Sequence, residues 1–169
     1  VVLRSSKTQR TTRVKGSWEN SSAFVYNLST KKINVLLSKT KGLYPAQTSL
    51  GQIVGFNKRT AELYMPAFSG GLGSNPKNNL YRVSLKNGYG KLYAKGNKST
   101  IGWFVDETGN LLAREDFDKN SKQHRIFSKV SGKWKAIYRH NTDIPEISPQ
   151  AVSSDATKLL FLKGQGNND

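Results

Sequence analysis

Residues 101–139 read IGWFVDETGNLLAREDFDKNSKQHRIFSKVSGKWKAIYR and carry the clearest strand pattern of the chain. Apolar, aromatic and β-branched runs alternate with turn residues at 106–110 and 131–132 and with a polar interruption over 116–123. Short runs bounded by Gly, Asn, Asp and Ser are typical of strands joined by hairpins. Four antiparallel strands in about forty residues have the size of one β-propeller blade. The four predicted strands are 101–105, 111–114, 125–130 and 134–138.

Similar strand pairs lie on both sides of this stretch, and no segment carries the 3.6-residue apolar period of a helix. The equivalent residues Leu28, Leu85 and Val130 are 57 and 45 positions apart. This uneven spacing fits blades with loops of variable length. The sequence therefore predicts an all-β fold, a partial β-propeller of about three to four blades of four-stranded antiparallel sheet. The flanking pairs are 23–28 with 33–37, 52–56 with 63–68, 80–85 with 91–94, and 150–153 with 158–162.

The predicted organisation has three parts. Residues 1–22 are a basic N-terminal segment or an incomplete first blade, 23–163 are the propeller blades, and 164–169 are a polar tail. A propeller closes with about four to eight blades, so we expect an arc of a larger ring. The chain begins at Val1 instead of Met, which favours a piece of a longer protein.

Composition limits the function classes. The 169 residues contain no cysteine, which excludes disulfides and thiolate metal sites. No run has the length of a membrane-spanning helix, so no membrane span is expected. The formal net charge is +16. It is concentrated in residues 1–61, where 11 Lys and Arg face one acid, giving +10. Such a surface attracts nucleic acid, anionic lipid or acidic peptides, although a Lys-rich composition alone also produces it.

Three glycine or serine stretches resemble catalytic or phosphate-binding motifs without matching them. Residues 47–51 have Gln where a nucleophile elbow has its first Gly. Residues 70–73 lack the third Gly of a dinucleotide fingerprint, and 96–99 lack the first Gly of a P-loop. The sequence therefore assigns no catalytic residue and no cofactor-binding residue.

Asp116, Asp118 and Asn120 occupy the first, third and fifth positions of a calcium loop. Ser121 and Phe127 stand where the loop needs Gly and Glu, which favours capping of a hairpin turn over metal binding. The lone residues His124 and His140 have no ligand-spaced partner. No metal site is therefore expected, and each histidine is interpreted as a core or surface residue.

Six aromatic residues interleave with Lys and Arg on the predicted strands. A face of this kind can stack bases, but aromatic residues at alternate strand positions more often form the core between blades. Nucleic acid is therefore not expected as a partner. The six are Tyr26, Tyr81, Tyr93, Trp103, Trp134 and Tyr138.

The run WFVDETGNLLAREDFD at 103–118, followed by His-Arg-Ile at 124–126, resembles the N-terminal β-propeller region of bacterial dipeptidyl and acylaminoacyl peptidases of the prolyl oligopeptidase family. The resemblance covers residues 23–163, and its motifs are structural and shared by propellers of unrelated function. Further matching segments are 43–47, 63–68, 80–83 and 142–145.

The resemblance implies a two-domain serine peptidase in which an α/β-hydrolase domain follows the propeller and carries the Ser, Asp and His of the triad. This chain would be the non-catalytic part that gates the substrate chamber. Its partners would be that hydrolase domain and peptide substrates, with acidic or C-terminally anionic peptides favoured by the basic surface. Relatives of this type are often exported, which favours the periplasm.

Two other functions stay open. The chain could be a free-standing propeller-like module that binds a protein or an envelope component. A basic nucleic-acid-binding β-protein is the third and less favoured interpretation.

Overall fold

A computed structural model describes residues 2–11, 14–45, 47, 49–129, 132–153, 155 and 157–163, with side chains from residue 21 onward except at 148–149. These residues form strands and turns and contain no helix, which confirms the all-β class. None of them belongs to a helix able to cross a membrane. The strands are β1 (Val2–Thr11), β2 (Val14–Tyr26), β3 (Ile33–Val35), β4 (Ser49–Leu50), β5 (Gly55–Asn57), β6 (Glu62–Ser69), β7 (Lys77–Ser84), β8 (Gly90–Ala94), β9 (Thr100–Val105), β10 (Leu111–Asp118), β11 (Gln123–Ser128), β12 (Lys135–Asn141), β13 (Ile147–Val152) and β14 (Leu159–Lys163).

The chain divides into two compact units, Val1–Lys98 and Ser99–Asp169. In the first unit, β2 lies between β1 and β3 in an antiparallel sheet and pairs in parallel with β4. The segment 1–22 thus supplies β1 and most of β2, and the predicted strand 23–28 is the end of a longer one. The predicted tail 164–169 lies outside the described residues.

The other sheet of the first unit contains β5, β6, β7 and β8 in sequence order, each antiparallel to the next. The predicted pairing of 80–85 with 91–94 is confirmed. That of 52–56 with 63–68 is confirmed only from Gly55 onward, because β5 begins there. Gly88, between β7 and β8, has φ +71°, and a Cβ there would stand 2.6 Å from the carbonyl oxygen of Val35. Only glycine fits this turn. The core of the unit is formed by Ala23, Leu36, Leu37, Leu63, Met65, Ala67, Tyr81 and Val83.

The second unit contains a sheet of β9, β10, β11 and β12, again in sequence order and antiparallel, and the two-stranded hairpin β13–β14. This sheet, hereafter the central sheet, confirms the four strands predicted within residues 101–139. The described sheets are open, and none of them closes on itself.

The turn predicted at 106–110 is held by the Asp106 carboxylate. Its oxygens accept hydrogen bonds from the backbone amides and side chains of Thr108 and Asn110 at 2.7–2.9 Å. Burial raises the pKa of Asp106, but these hydrogen bonds outweigh it and hold the pKa below its ordinary value. The turn closes through Gly109 at φ +94°.

The polar interruption predicted over 116–123 is wrong in extent, because β10 continues to Asp118 and β11 begins at Gln123. Asp116 is 1% exposed, and its carboxylate accepts hydrogen bonds from Thr100 at 2.8 Å and Arg114 at 3.0 Å. A carboxylate with charged and hydroxyl donors can lie inside a sheet. The polar composition that predicted a loop is here part of two strands.

Candidate functional site

The central sheet presents two chemically different faces. Residues directly opposite each other in an antiparallel ladder project from the same face, so the register assigns each side chain. One face, the carboxylate–histidine face, holds Glu115, Phe117, His124, Ile126 and Tyr138. The other, the guanidinium–aromatic face, holds Trp103, Arg114, Asp116, Arg125, Phe127 and Arg139, with Trp134 and Lys129 packed beside them.

The carboxylate–histidine face is built on a buried pair. His124 is fully buried, and its Nε2 lies 2.8 Å from Oε1 of Glu115, which is 8% exposed. Burial raises the pKa of Glu115, and the hydrogen bond and charge of His124 oppose this rise without cancelling it. The rings of Phe117 and Tyr138 stand edge-on to the imidazole at 6.3 and 5.4 Å. The pair is therefore enclosed by aromatic rings.

Gly102 makes room for Glu115. The two residues are opposite each other in the β9–β10 ladder. A Cβ at position 102 would stand 2.8 Å from Oε2 and 3.2 Å from Cβ of Glu115. A glycine inside a strand often marks such a close approach. The carboxyl group therefore lies over the backbone of β9 and reaches His124 diagonally.

His140 lies opposite His124 in the β11–β12 ladder but differs from it in environment. It is exposed, and its Nε2 is 3.6 Å from Oε2 of Glu146. Neither imidazole is hydrogen-bonded to a hydroxyl among the residues with described side chains. A serine-type triad needs the base bonded to a nucleophile as well as to an acid, so this face contains no such triad in the described part of the chain.

The guanidinium–aromatic face centres on Arg114. Its Cζ lies 4.9 Å from the ring centre of Phe127 and 5.1 Å from that of Trp134. Arg125 stands over the same Phe127 ring at 5.7 Å, and Lys129 over Trp134 at 5.7 Å. Cations over aromatic faces are attracted by the ring quadrupole. Three cations thus share two aromatic rings on one side of the sheet.

Several donors on this face have no acceptor. Nε1 of Trp103 and Nε of both Arg114 and Arg125 are buried and lack a hydrogen-bond partner among the described residues. A buried polar group without a partner costs about 1–3 kcal/mol. Nη2 of Arg114 forms an ion pair with the Asp116 carboxylate, so the positive charge of Arg114 is paired. Only its Nε lacks a hydrogen-bond partner.

The second unit also contains an apolar cleft of about 430 Å³ between the central sheet and the hairpin β13–β14. Leu112 and Ile137 lie on one side, Val152 and Phe161 on the other. Lys158 and Thr157 add polar groups. Beyond the cleft, Leu160 and Leu162 of β14 are 52% and 63% exposed.

The stretches that resembled catalytic motifs have structural roles. The Gln47 side chain bonds the backbone of Tyr44 and Phe68 and holds a connection to β6. Residues 70–73 form part of the turn between β6 and β7. The backbone amide of Gly96 donates to the Asn79 side chain at 2.9 Å. None of the described residues in these stretches opens a helix.

The calcium-loop positions are also used structurally. Oδ1 of Asp118 accepts from the backbone amides of Asn120 and Ser121, which caps the β10–β11 turn. Asp116 is bonded to other residues, as described above. Across the residues whose side chains are described, no group of three or more His, Asp or Glu could hold a metal ion.

The six aromatic residues do not share one environment. Trp103 and Tyr81 are buried at 2% and 5%, whereas Tyr93 and Trp134 are more than one third exposed. Trp134 was predicted to begin a strand, but β12 begins at Lys135, and Trp134 packs on Trp103 at 6.4 Å.

Sequence reasoning missed two features: the Glu115–His124 pair and the alignment of Arg114, Arg125 and Arg139. Both depend on the register of β10, β11 and β12, and Gly102 was the one available signal. No family model, curated protein or solved structure matches the chain.

Proposed function

We propose that the chain is an arc of a β-propeller and the non-catalytic, gating part of a serine peptidase of the prolyl oligopeptidase family. The observation that supports the propeller is that similar antiparallel sheets recur at a regular spacing along the sequence. The first strands of the successive sheets β5–β8, β9–β12 and β13–β14 begin at residues 55, 100 and 147, which are 45 and 47 positions apart. Blades of four strands repeat at about 40–50 residues.

Each blade of a propeller is a four-stranded antiparallel sheet of strands that follow one another in sequence. The sheets β5–β8 and β9–β12 both have this arrangement, so each would be one blade. The hairpin β13–β14 would be the first half of a further blade. Its exposed apolar residues Leu160 and Leu162 would be covered by the rest of that blade. Sheet β1–β3 would belong to an earlier one.

The peptidase assignment rests on the resemblance of residues 103–118 and 124–126. In such a peptidase the nucleophile would lie in the following hydrolase domain. In that arrangement, this chain would line the path by which peptides reach the active site.

The test is to produce the protein encoded by the complete reading frame and to label it with a fluorophosphonate probe. We expect a labelled serine outside residues 1–169 and hydrolysis of short peptides, whereas residues 1–169 alone should hydrolyse none. Absence of both labelling and hydrolysis would refute the peptidase. A crystal structure of the same protein tests the propeller, in which β5–β8 and β9–β12 must be neighbours around one axis.

The second candidate is a free-standing interaction module. The exposed residues Trp134 and Arg139 of the guanidinium–aromatic face favour it, because exposed aromatic and Arg side chains are enriched where proteins bind one another. A reading frame that ends near Asp169, with a soluble folded product, would support this candidate against the first.

A further inference from the structure

The strand β14 presents an unprotected edge. Among the described strands it pairs only with β13, so every second residue of β14 points its backbone N–H and C=O away from that pairing. Proline, bulges and charged residues commonly protect such edges. The partner strand β13 has this protection, because its ladder contains Pro149 and a bulge between Pro149 and Ala151. Residues 159–162 of β14 are Leu, Leu, Phe and Leu and contain none of it.

The apolar cleft lies along one face of this strand. Successive side chains of a strand point to opposite faces. Leu159 and Phe161 line the cleft, whereas Leu160 and Leu162 lie on the outer face and are mostly exposed. On the opposite wall, Ile137 of β12 is half exposed, so the cleft is open. A strand added beside β14 would direct every second side chain toward the cleft.

An unpaired edge beside a pocket is an arrangement by which proteins bind extended peptides. Backbone hydrogen bonds of the added strand supply affinity, and pockets for alternate side chains supply specificity. Only a polypeptide presents donors and acceptors at the spacing of a strand edge. A two-stranded hairpin is marginally stable by itself in water, and a third strand stabilises it. The arrangement therefore fits a peptide in extended conformation with apolar residues at alternate positions.

Charge selects among such strands. Lys158 precedes β14 and lines the cleft, and Lys163 ends the strand. The acid of the same hairpin, Asp155, accepts hydrogen bonds from the Ser153 side chain and the Thr157 amide. In an antiparallel pair of two copies centred on the apolar residues of β14, Lys158 of one copy would oppose Lys163 of the other, and like charges in that position are destabilising. A strand with carboxylates at both ends is attracted instead.

We propose that β14 and the cleft form a strand-addition site for an extended segment of a partner protein, apolar at alternate positions and acidic at both ends. Its backbone pairs with β14, its inward side chains fill the cleft between Ile137 and Phe161, and its carboxylates lie near Lys158 and Lys163. This inference rests on the second candidate function, because in a complete propeller the next strand of the blade would take the same edge.

The experiment is calorimetric titration of the full chain with the acetylated peptide amide Glu-Leu-Thr-Leu-Thr-Leu-Glu. We expect binding in low salt, and at least tenfold weaker binding when Lys replaces Glu at both ends. Two further peptides are N-methylated, one at its leucines and one at its threonines. Because alternate residues direct their N–H groups to opposite sides, only one of these two should bind. Equal affinity of the two methylated peptides would show that β14 does not pair with the ligand and overturn the site.

Variants of the protein test the cleft and the outer face separately. Ile137→Ser and Leu162→Ser should each weaken peptide binding about five- to tenfold. Leu92→Ser is the matched control, because Leu92 is 48% exposed, against 49% for Ile137, on the edge strand β8 of the first unit. It should change nothing. An equal loss in Leu92→Ser would show unspecific apolar attraction and refute the site.

The product of the complete reading frame decides the source of the strand. Peptide binding by that product supports a partner protein. Binding by residues 1–169 but not by a longer product would assign the edge to a later strand of the same polypeptide and overturn the partner. Self-association in low salt that is lost in Leu162→Ser would assign the edge to a second copy, with the same consequence. A reading frame that ends near Asp169, without peptide binding, would refute this inference and leave the second candidate function standing.

Discussion

Replacing Gly102 by alanine should separate Glu115 from His124. The new Cβ would stand 2.8 Å from Oε2 of Glu115, closer than nonbonded atoms tolerate, and 3.2 Å from its Cβ. The carboxyl group must rotate away, which leaves the buried imidazole without its 2.8 Å partner. A hydrogen bond to a charged group contributes about 1.5–3 kcal/mol. Alanine recovers about 0.5–1 kcal/mol over glycine in a strand. The net loss in the free energy of unfolding is therefore about 0.5–2.5 kcal/mol.

A loss of this size lowers the melting temperature by about 1–10 °C for a chain of this length. The assay is thermal and urea unfolding of Gly102→Ala beside Gly71→Ala, because a Cβ at Gly71 meets nothing within 4 Å. The control should melt within about 1 °C of the unsubstituted protein. A second comparison places Gly102→Ala in a Glu115→Ala background, where most of the penalty should vanish. A full penalty in that background would refute the proposed clash with Glu115, as would equal stability of the two glycine variants.

Three further results are expected. Gly88→Ala should cost about 1–3 kcal/mol in urea unfolding, because the residue has φ +71° and its Cβ would meet the Val35 carbonyl at 2.6 Å; an unchanged midpoint would contradict the turn geometry. The folded pKa of Asp106 is lowered, so its contribution to stability is present above its ordinary pKa of 3.8 and is lost as pH falls through the folded value. The free energy of unfolding of Asp106→Ala should therefore fall less steeply at acid pH than that of the unsubstituted protein. An equally steep fall would exclude this role. The folded pKa of Glu115 is raised, so its contribution has the opposite sign and stability falls as pH rises from 4.5 through the folded value. Glu115→Gln should remove that fall in a pH series of urea midpoints, and persistence of the fall would assign it to another group.

Turn chemistry made the strands of the central sheet predictable. Asp106 and Gly109 mark the β9–β10 turn in the sequence, and the structure uses both. The ends of β10 and β11 were not predictable, because Asp116 looks like a loop residue until Thr100 and Arg114 are brought beside it by pairing. The local sequence shows only that a residue is polar. Whether its carboxylate can be buried depends on hydrogen-bond donors, some of them on other strands, that only the folded sheet brings into contact with it. The long β1–β2 hairpin was missed for the related reason that its polar sequence lacks alternation.

The candidate site was less predictable than the fold. Glu115 and His124 are nine residues apart and meet only because the β10–β11 register places them on a diagonal. The opposition of Arg125 and Arg139 likewise depends on a ladder that includes a bulge after Ile126. A one-residue change of register would move each of these side chains to the other face. Local sequence does not fix register to that accuracy.

The outer strand β14 has a consequence for the behaviour of the chain in solution. Among described strands it pairs only with β13, and its Leu160, Phe161 and Leu162 side chains are exposed. A free apolar edge can template pairing between molecules. The formal charge of +16 opposes such contact by repulsion, and added salt screens that repulsion. The chain should therefore stay dispersed in dilute buffer and assemble edge to edge as salt increases, the reverse of a protein whose association is driven by attraction between opposite charges.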